Sequence, residues 1–145
     1  AREIQNQSDR AYALIALVEK LPELLPEALN AAREIQNQSD RAYALIALVE
    51  KLPELLPEAL NAARKVQNQS DRAYALIALA SGLSQMPFAE LFPLWQDTLH
   101  ELSLRTRHNL LQDIEALFPV IFALGGEAAT AELARAIVDV ARWWR

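Results

Sequence analysis

The sequence predicts an all-α fold, an α-solenoid of stacked antiparallel helical hairpins. Three observations carry that prediction. Residues 1–31 and 32–62 are the same 31 letters, AREIQNQSDRAYALIALVEKLPELLPEALNA. A third copy begins at Ala63 and runs to Leu79, changed only by Lys65 in place of Glu and Val66 in place of Ile. Within each copy the apolar residues recur every three to four positions, a helical period, and proline and alanine are poor strand residues. A fixed period of this length marks units that bury their apolar faces by stacking on one another.

The first full unit runs from Gln7 to Asn37. Ser8 and Asp9 offer N-cap chemistry ahead of an apolar stretch, so a first helix is expected over Arg10–Leu21, with Ser39 and Ser70 as the later caps. Ala11, Leu14, Ile15, Leu17, Val18 and Leu21 cover more than half of its circumference, which requires burial on several sides. Tyr12, Ala13, Ala16, Glu19 and Lys20 are left as the strip open to solvent. Pro22 ends the helix, and Pro22-Glu-Leu-Leu-Pro26 forms the corner. A second helix is expected over Pro26–Asn37. Ala28, Leu29, Ala31, Ala32 and Ile35 form its inner side, and Glu27, Asn30, Arg33, Glu34 and Asn37 its outer side. Connections this short force the two helices antiparallel.

The third unit degenerates after Leu79, where Ala80-Ser81-Gly82 stands in place of Val-Glu-Lys. The corner motif returns as Glu90-Leu-Phe-Pro93, so Pro93–Leu104 is expected to be the second helix of that unit, with Trp95, Asp97, His100 and Glu101 outward. Thr106–Leu124 is expected to be a longer helix, capped by Thr106, kinked at Pro119 and stopped by Gly125-Gly126. Glu127–Trp144 would close the chain, with Glu132, Arg135, Asp139 and Arg142 on the solvent face and Leu133, Ile137, Val140 and Trp144 on the other. Trp143 and Trp144 would lock it in place. The expected organisation is therefore helical-hairpin repeats over residues 1–104, with a half-repeat at 1–6, and a C-terminal capping hairpin over 105–145. No matching cap precedes the first hairpin. Self-association through that end is expected, as a homodimer or end to end.

Composition narrows the function. Of 145 residues, 52% are hydrophobic and 23% charged, an ordinary balance for a globular chain. The net charge of −5 argues against nonspecific nucleic-acid binding, which needs clustered Lys and Arg. With no cysteine, disulfides and thiolate metal sites are excluded, and the chain suits a reducing compartment such as the cytoplasm. The longest apolar run, Ala11–Val18, falls well short of the roughly 18 residues of a membrane span. The chain opens inside a copy and without Met, as a fragment would.

The segment LRTRHNLLQDIEALFPVIFALGGEAATAELARAIVDVARWWR, Leu104–Arg145, resembles the closing segment of a repeat family found largely in cyanobacteria. The unit RAYALIALVEKLPELLPEALNAAREIQ is similar to the repeats of the same family, whose pattern is R-A-x-A-L-x-A-L-x-x-x-L-P-x-x-L-L-x-E-A-L-x-A-A-R-x-I. Those repeats lie C-terminal to NACHT or NB-ARC signalling NTPases, and the resemblance implies a TPR-like solenoid that senses or binds a partner. The period of 31 differs from the roughly 34 of tetratricopeptide repeats, and the Trp-Leu-Gly-Tyr signature is absent. No G-x-x-x-x-G-K-[ST] segment is present, so any NTPase activity would belong to a parent protein.

Tyr12, Tyr43 and Tyr74 recur every 31 residues on the weakly polar strip of the first helix. Neighbouring helices pack about 8–10 Å apart, so the three rings would form a ladder with Glu19, Lys20, Glu50 and Lys51 alongside. Tyrosine is a common groove residue because it offers a large amphipathic surface, and these seven residues are the candidate partner-binding set. The other reading is that each ring fills the gap between adjacent units. His100 and His108 fall on different helices without further ligands. Arg105, Arg107 and His108 read as a solvated basic turn. Asp113 and Glu115, two apart on a helix, diverge and cannot act as a dyad. No catalytic, cofactor or metal site is expected. The leading function is a non-catalytic scaffold for a protein or peptide partner. The alternative is a structural repeat protein, natural or engineered, whose main property is stacking.

Overall fold

A computed structural model describes the backbone of residues 2–143, with side chains described at 6–126, 131, 134–136, 138, 139 and 142. The described residues are mostly helical and include no strand. They divide into two compact units, residues 1–79 and 80–145, and the division falls where the repeated letters end.

In the first unit, α1 (Arg2–Val18) packs against α2 (Leu25–Glu34), and α3 (Gln38–Val49) against α4 (Leu56–Arg64). α3 also packs on both α1 and α2. A fifth helix, α5 (Gln69–Ser84), starts in this unit. The first helix of a copy ends at Val18 or Val49, not at the expected Leu21. The cause is the proline one position further on. A residue before proline is driven out of the helical region, and Leu21 (φ −130°, ψ 80°) and Leu52 (φ −131°, ψ 84°) both leave it. Pro22–Leu24 and Pro53–Leu55 then make short 3-10 turns, so the second helices start at Leu25 and Leu56, one residue before the expected Pro26 and its repeat.

The second helices carry the core as their small residues predict. Ala28, Ala31, Ala32 and Ile35 of the first full unit are buried, as are Ala59, Leu60, Ala62, Ala63 and Val66 one period on. Alanine at these positions lets backbones approach closely. In the first copy Tyr12, Ala13, Ala16, Glu19 and Lys20 are all exposed as expected, and in the second copy the strip is narrower. Ala44, the second-copy equivalent of Ala13, is fully buried, while Tyr43 and Ala47 are half-buried.

The expected serine caps are corrected. Asn37 is the N-cap of α3: its backbone is extended (φ −66°, ψ 123°) and its Oδ1 accepts from the Asp40 N–H at 2.9 Å. Asn68 accepts from the Asp71 N–H at 3.0 Å in the same way. Asp40, in the first turn of α3, also suits the positive end of the helix dipole. In the first copy Asn6, the equivalent of Asn37, lies inside a helix and does not start one. α1 runs unbroken through Asn6-Gln7-Ser8, so residues 2–6 do not form the separate tail of an earlier helix.

In the second unit, α6 (Phe88–Ser103) packs against α7 (Arg107–Ala116) and α8 (Phe118–Trp143), and α7 packs against α8. α6 starts five residues ahead of the expected Pro93, which it holds in its interior. Thr106 caps α7 as expected, its Oγ1 accepting from the Asn109 N–H at 3.3 Å. Pro119 does not kink a long helix. Leu117 (φ −93°, ψ 10°) closes α7, and Pro119 sits in the first turn of α8, where a missing N–H costs nothing. The expected stop at Gly125-Gly126 is present as a break inside α8. Gly126 takes φ 65°, ψ −157°, a conformation open essentially to glycine alone. A Cβ at Gly126 would meet nothing within 4 Å, so the backbone and not crowding demands glycine. Leu91, Thr98, Leu102, Ile114, Leu117, Val120 and Ile121 form the core of this unit. Arg135, Asp139 and Arg142 are exposed as expected, whereas Glu132, Leu133, Ile137, Val140, Trp143 and Trp144 lie outside the described side chains.

Candidate partner-binding surface

The seam between successive copies is polar as well as apolar, and it is made twice. The Ser8 hydroxyl donates to the Asp40 carboxylate at 2.8 Å, and the Tyr12 hydroxyl to the Asp40 carbonyl at 3.4 Å. One period on, Ser39 donates to Asp71 at 2.8 Å and Tyr43 to the Asp71 carbonyl at 3.4 Å. Each serine thus ties its helix to the next copy, and the aspartate beside the Asn cap receives both bonds. The Tyr43 and Tyr74 rings meet edge to face at 5.7 Å, a favoured aromatic geometry.

The tyrosines therefore belong in part to the stack. Their exposure is graded: Tyr12 is 38% exposed, Tyr43 half-buried and Tyr74 65% exposed. Burial and the neighbouring Asp40 charge raise the Tyr12 phenol above its ordinary value. Tyr43 is pushed up to about 12, first by burial, then by its bond to and the charge of Asp71, and then by Tyr74 and Tyr12. Glu19, Lys20, Glu50 and Lys51 are all exposed in the turns that follow α1 and α3. Seven residues separate Tyr12 from Glu19, two helical turns or roughly 10 Å along the axis. Of the seven candidates, the structure brings Tyr43 and Tyr74 into contact and places the two Glu-Lys pairs at the end of the same helical stripe.

Sequence reasoning missed an arginine series. Arg41 Nη1 donates to the Ile35 carbonyl at 2.9 Å, and Arg72 Nη1 to the Val66 carbonyl at 2.8 Å, so each satisfies a carbonyl freed at the end of the preceding helix. Arg72 is fully buried, and it also bonds the Gln67 carbonyl at 3.3 Å and the Gln69 side chain. The signal was present: an arginine two residues beyond each serine, at the head of an otherwise apolar stretch. A second missed contact joins the unit Gln7–Asn37 to the next unit. Arg33 grips Glu58 with two bonds, of 2.8 and 3.0 Å, and Glu58 raises the already high Arg33 pKa. This pair is exposed and contributes about 0.2–1 kcal/mol. Beside it lies an open groove of about 340 Å³ lined by Arg33, Arg41, Leu45, Glu58, Asn61, Ala62 and Lys65.

In the second unit His100 and His108 are both exposed, on α6 and α7. Among the described residues no three His, Asp or Glu side chains are grouped to hold a metal ion. Asp113 is fully buried while Glu115, two positions on, is exposed, so the two carboxylates diverge. No helix among the described residues is long and apolar enough to cross a membrane. Comparison of the chain with family models, curated proteins and solved structures gave no match.

Proposed function

We propose that the repeated part of this chain is a TPR-like α-solenoid with a 31-residue period, followed by a closing hairpin over residues 105–145, and that it serves as a non-catalytic scaffold for a protein or peptide partner in the cytoplasm. In this reading it is the partner-binding region of a larger signalling protein of the NACHT or NB-ARC kind. The observation that carries the proposal is the duplicated seam. Ser–Asp and Tyr–Asp bonds of equal length set the Tyr and Glu-Lys groups of successive copies in the same register. A partner that matches one copy meets the same chemistry one period further on, and linked contacts of this kind raise avidity without any new contact type.

The test uses surface residues that the stack does not need. The wild-type chain is used to capture partners from the source cell, and each captured protein is purified and titrated against the chain. The variant Lys20→Glu with Lys51→Glu should weaken the interaction at least tenfold and leave the helical circular dichroism unchanged. The scaffold reading fails if no purified protein binds, or if the double variant binds as tightly as the wild type. The alternative, a structural repeat whose main property is stacking, is favoured by one feature: the apolar face that α1 leaves uncovered.

A further inference from the structure

The same letters are covered in one copy and bare in the other. Ala13, Leu17 and Leu21 are exposed, Leu17 at 45%, whereas their second-copy equivalents Ala44 and Leu48 are fully buried and Leu52 is half-buried. α1 packs on this helix of the second copy, and its opposite face supplies Ser8 and Tyr12 to Asp40. α5 carries that opposite face again. Ser70 is exposed, Tyr74 is 65% and Ile77 60% exposed, while Ser39, Tyr43 and Ile46 of α3 are half-buried. Both faces belong to the unit formed by residues 1–79. They are the two halves of one interface that this unit already makes twice within itself.

We propose that a second molecule of this chain docks head to tail, with Ser70, Tyr74 and Ile77 of one molecule seated on Ala13, Leu17 and Leu21 of the next. The polar groups repeat in register with the apolar ones. Ser70 and Tyr74 reach Asp9 as Ser39 and Tyr43 reach Asp71, and Arg64 and Glu27 hold the places of Arg33 and Glu58. A two-fold pairing of two α1 faces offers neither the Ser–Asp nor the Arg–Glu match. A head-to-tail contact uses two different patches and does not close on itself, so it builds chains of molecules whose length grows with concentration. This inference stands whether or not a foreign partner also binds.

Sedimentation velocity on the full chain over a wide concentration range, with two variants, tests it. Leu17→Glu spoils one half of the interface and Ile77→Glu the other. The wild type should pass beyond the dimer as concentration rises, and each variant alone should stay monomeric. An equimolar mixture of the two variants should form a one-to-one dimer and nothing larger, because each contributes the half that the other lacks. Should either glutamate reduce the helical signal, Leu17→Gln and Ile77→Gln carry the same test. A wild type that is monomeric throughout overturns the proposal. So does an Ile77→Glu variant that still dimerises while Leu17→Glu does not, since that is the signature of two-fold pairing. A mixture that stays monomeric overturns it as well.

Discussion

Residues 1–31 and 32–62 have one sequence and two structures. In the first copy, Arg2–Val18 is a single helix. In the second, the helix ends at Glu34, Ile35 is extended (φ −62°, ψ 124°), and a new helix starts at Gln38. The break gives up helical hydrogen bonds, and its neighbours restore them. The Gln36 N–H finds the side chain of Gln7 at 3.2 Å, the Ile35 carbonyl finds Arg41, and the Ile35 side chain is fully buried. In the first copy the same letters continue as helix, in line with the local preference of Gln, Arg, Glu and Ala for helix. The reversal between units is thus a product of stacking, not of a local stop signal.

The largest expected contrast is in the core. Leu48 and Leu17 are the same residue of the same motif, fully buried in one copy and 45% exposed in the other. Leu48→Ala should cost about 2–5 kcal/mol, the range for emptying a buried leucine site. Leu17→Ala should cost under about 1 kcal/mol in dilute solution, since nearly half of the residue is already exposed and no closed cavity is left behind. Urea unfolding at low protein concentration measures both. Equal losses would mean that the two copies are covered alike, and the comparison would collapse.

These contrasts also explain what the letters could convey. The helices, their order and the inner alanine face were legible because they depend on short-range period. Spacing alone places Ala28, Leu29, Ala31, Ala32 and Ile35 inward, and all are buried except Leu29, which is half-buried. The corner was legible in kind but displaced, because proline acts on the residue before it and the helix yields at Leu21 and Leu52. The caps were ambiguous, since Asn-Gln-Ser-Asp contains three side chains able to cap. The serine was drawn instead to an aspartate 32 residues away, a contact no local window can hold. The unbroken α1 could not be read at all, because identical letters cannot signal two outcomes. For the candidate surface, the tyrosine row was visible as a period, but its double role in the seam depended on Asp40 and Asp71 of the next copy.

A second contrast concerns Asn37 and Asn6, and it should change sign. Asn37 caps α3, and Asn37→Ala should destabilise by about 1 kcal/mol through the lost bond to the Asp40 N–H. Asn6 holds the same place in the motif but is an exposed residue inside α1. Alanine is the better helix former there, so Asn6→Ala should stabilise by a few tenths of a kcal/mol. Thermal melts of the two variants under one buffer condition decide it. A loss of about 1 kcal/mol at Asn6 would show that the first copy is broken and capped like the second.

The smallest contrast is absent at neutral pH and appears only in alkali. Tyr43 is raised to about 12, whereas in the unfolded chain its phenol titrates near 10. Between those values the unfolded chain sheds the proton and the folded chain keeps it. Stability from this group is therefore complete below pH 10 and is lost as the pH rises toward 12. Tyr43→Phe removes the titration while keeping the ring against Tyr74, and at pH 8 it loses only a long bond of 3.4 Å to the Asp71 carbonyl. The two proteins should unfold at nearly the same urea concentration at pH 8, and the wild type should fall relative to the variant between pH 10 and 12. Tyr12 is raised as well, but it borders Asp40 where Tyr43 borders Asp71 and the phenols of Tyr74 and Tyr12. Tyr12→Phe should accordingly diverge from the wild type in the same direction in alkali. Parallel curves for wild type and Tyr43→Phe up to pH 12 would mean that the Tyr43 phenol is solvated, and that the seam between the second and third copies is as open as the face of the first.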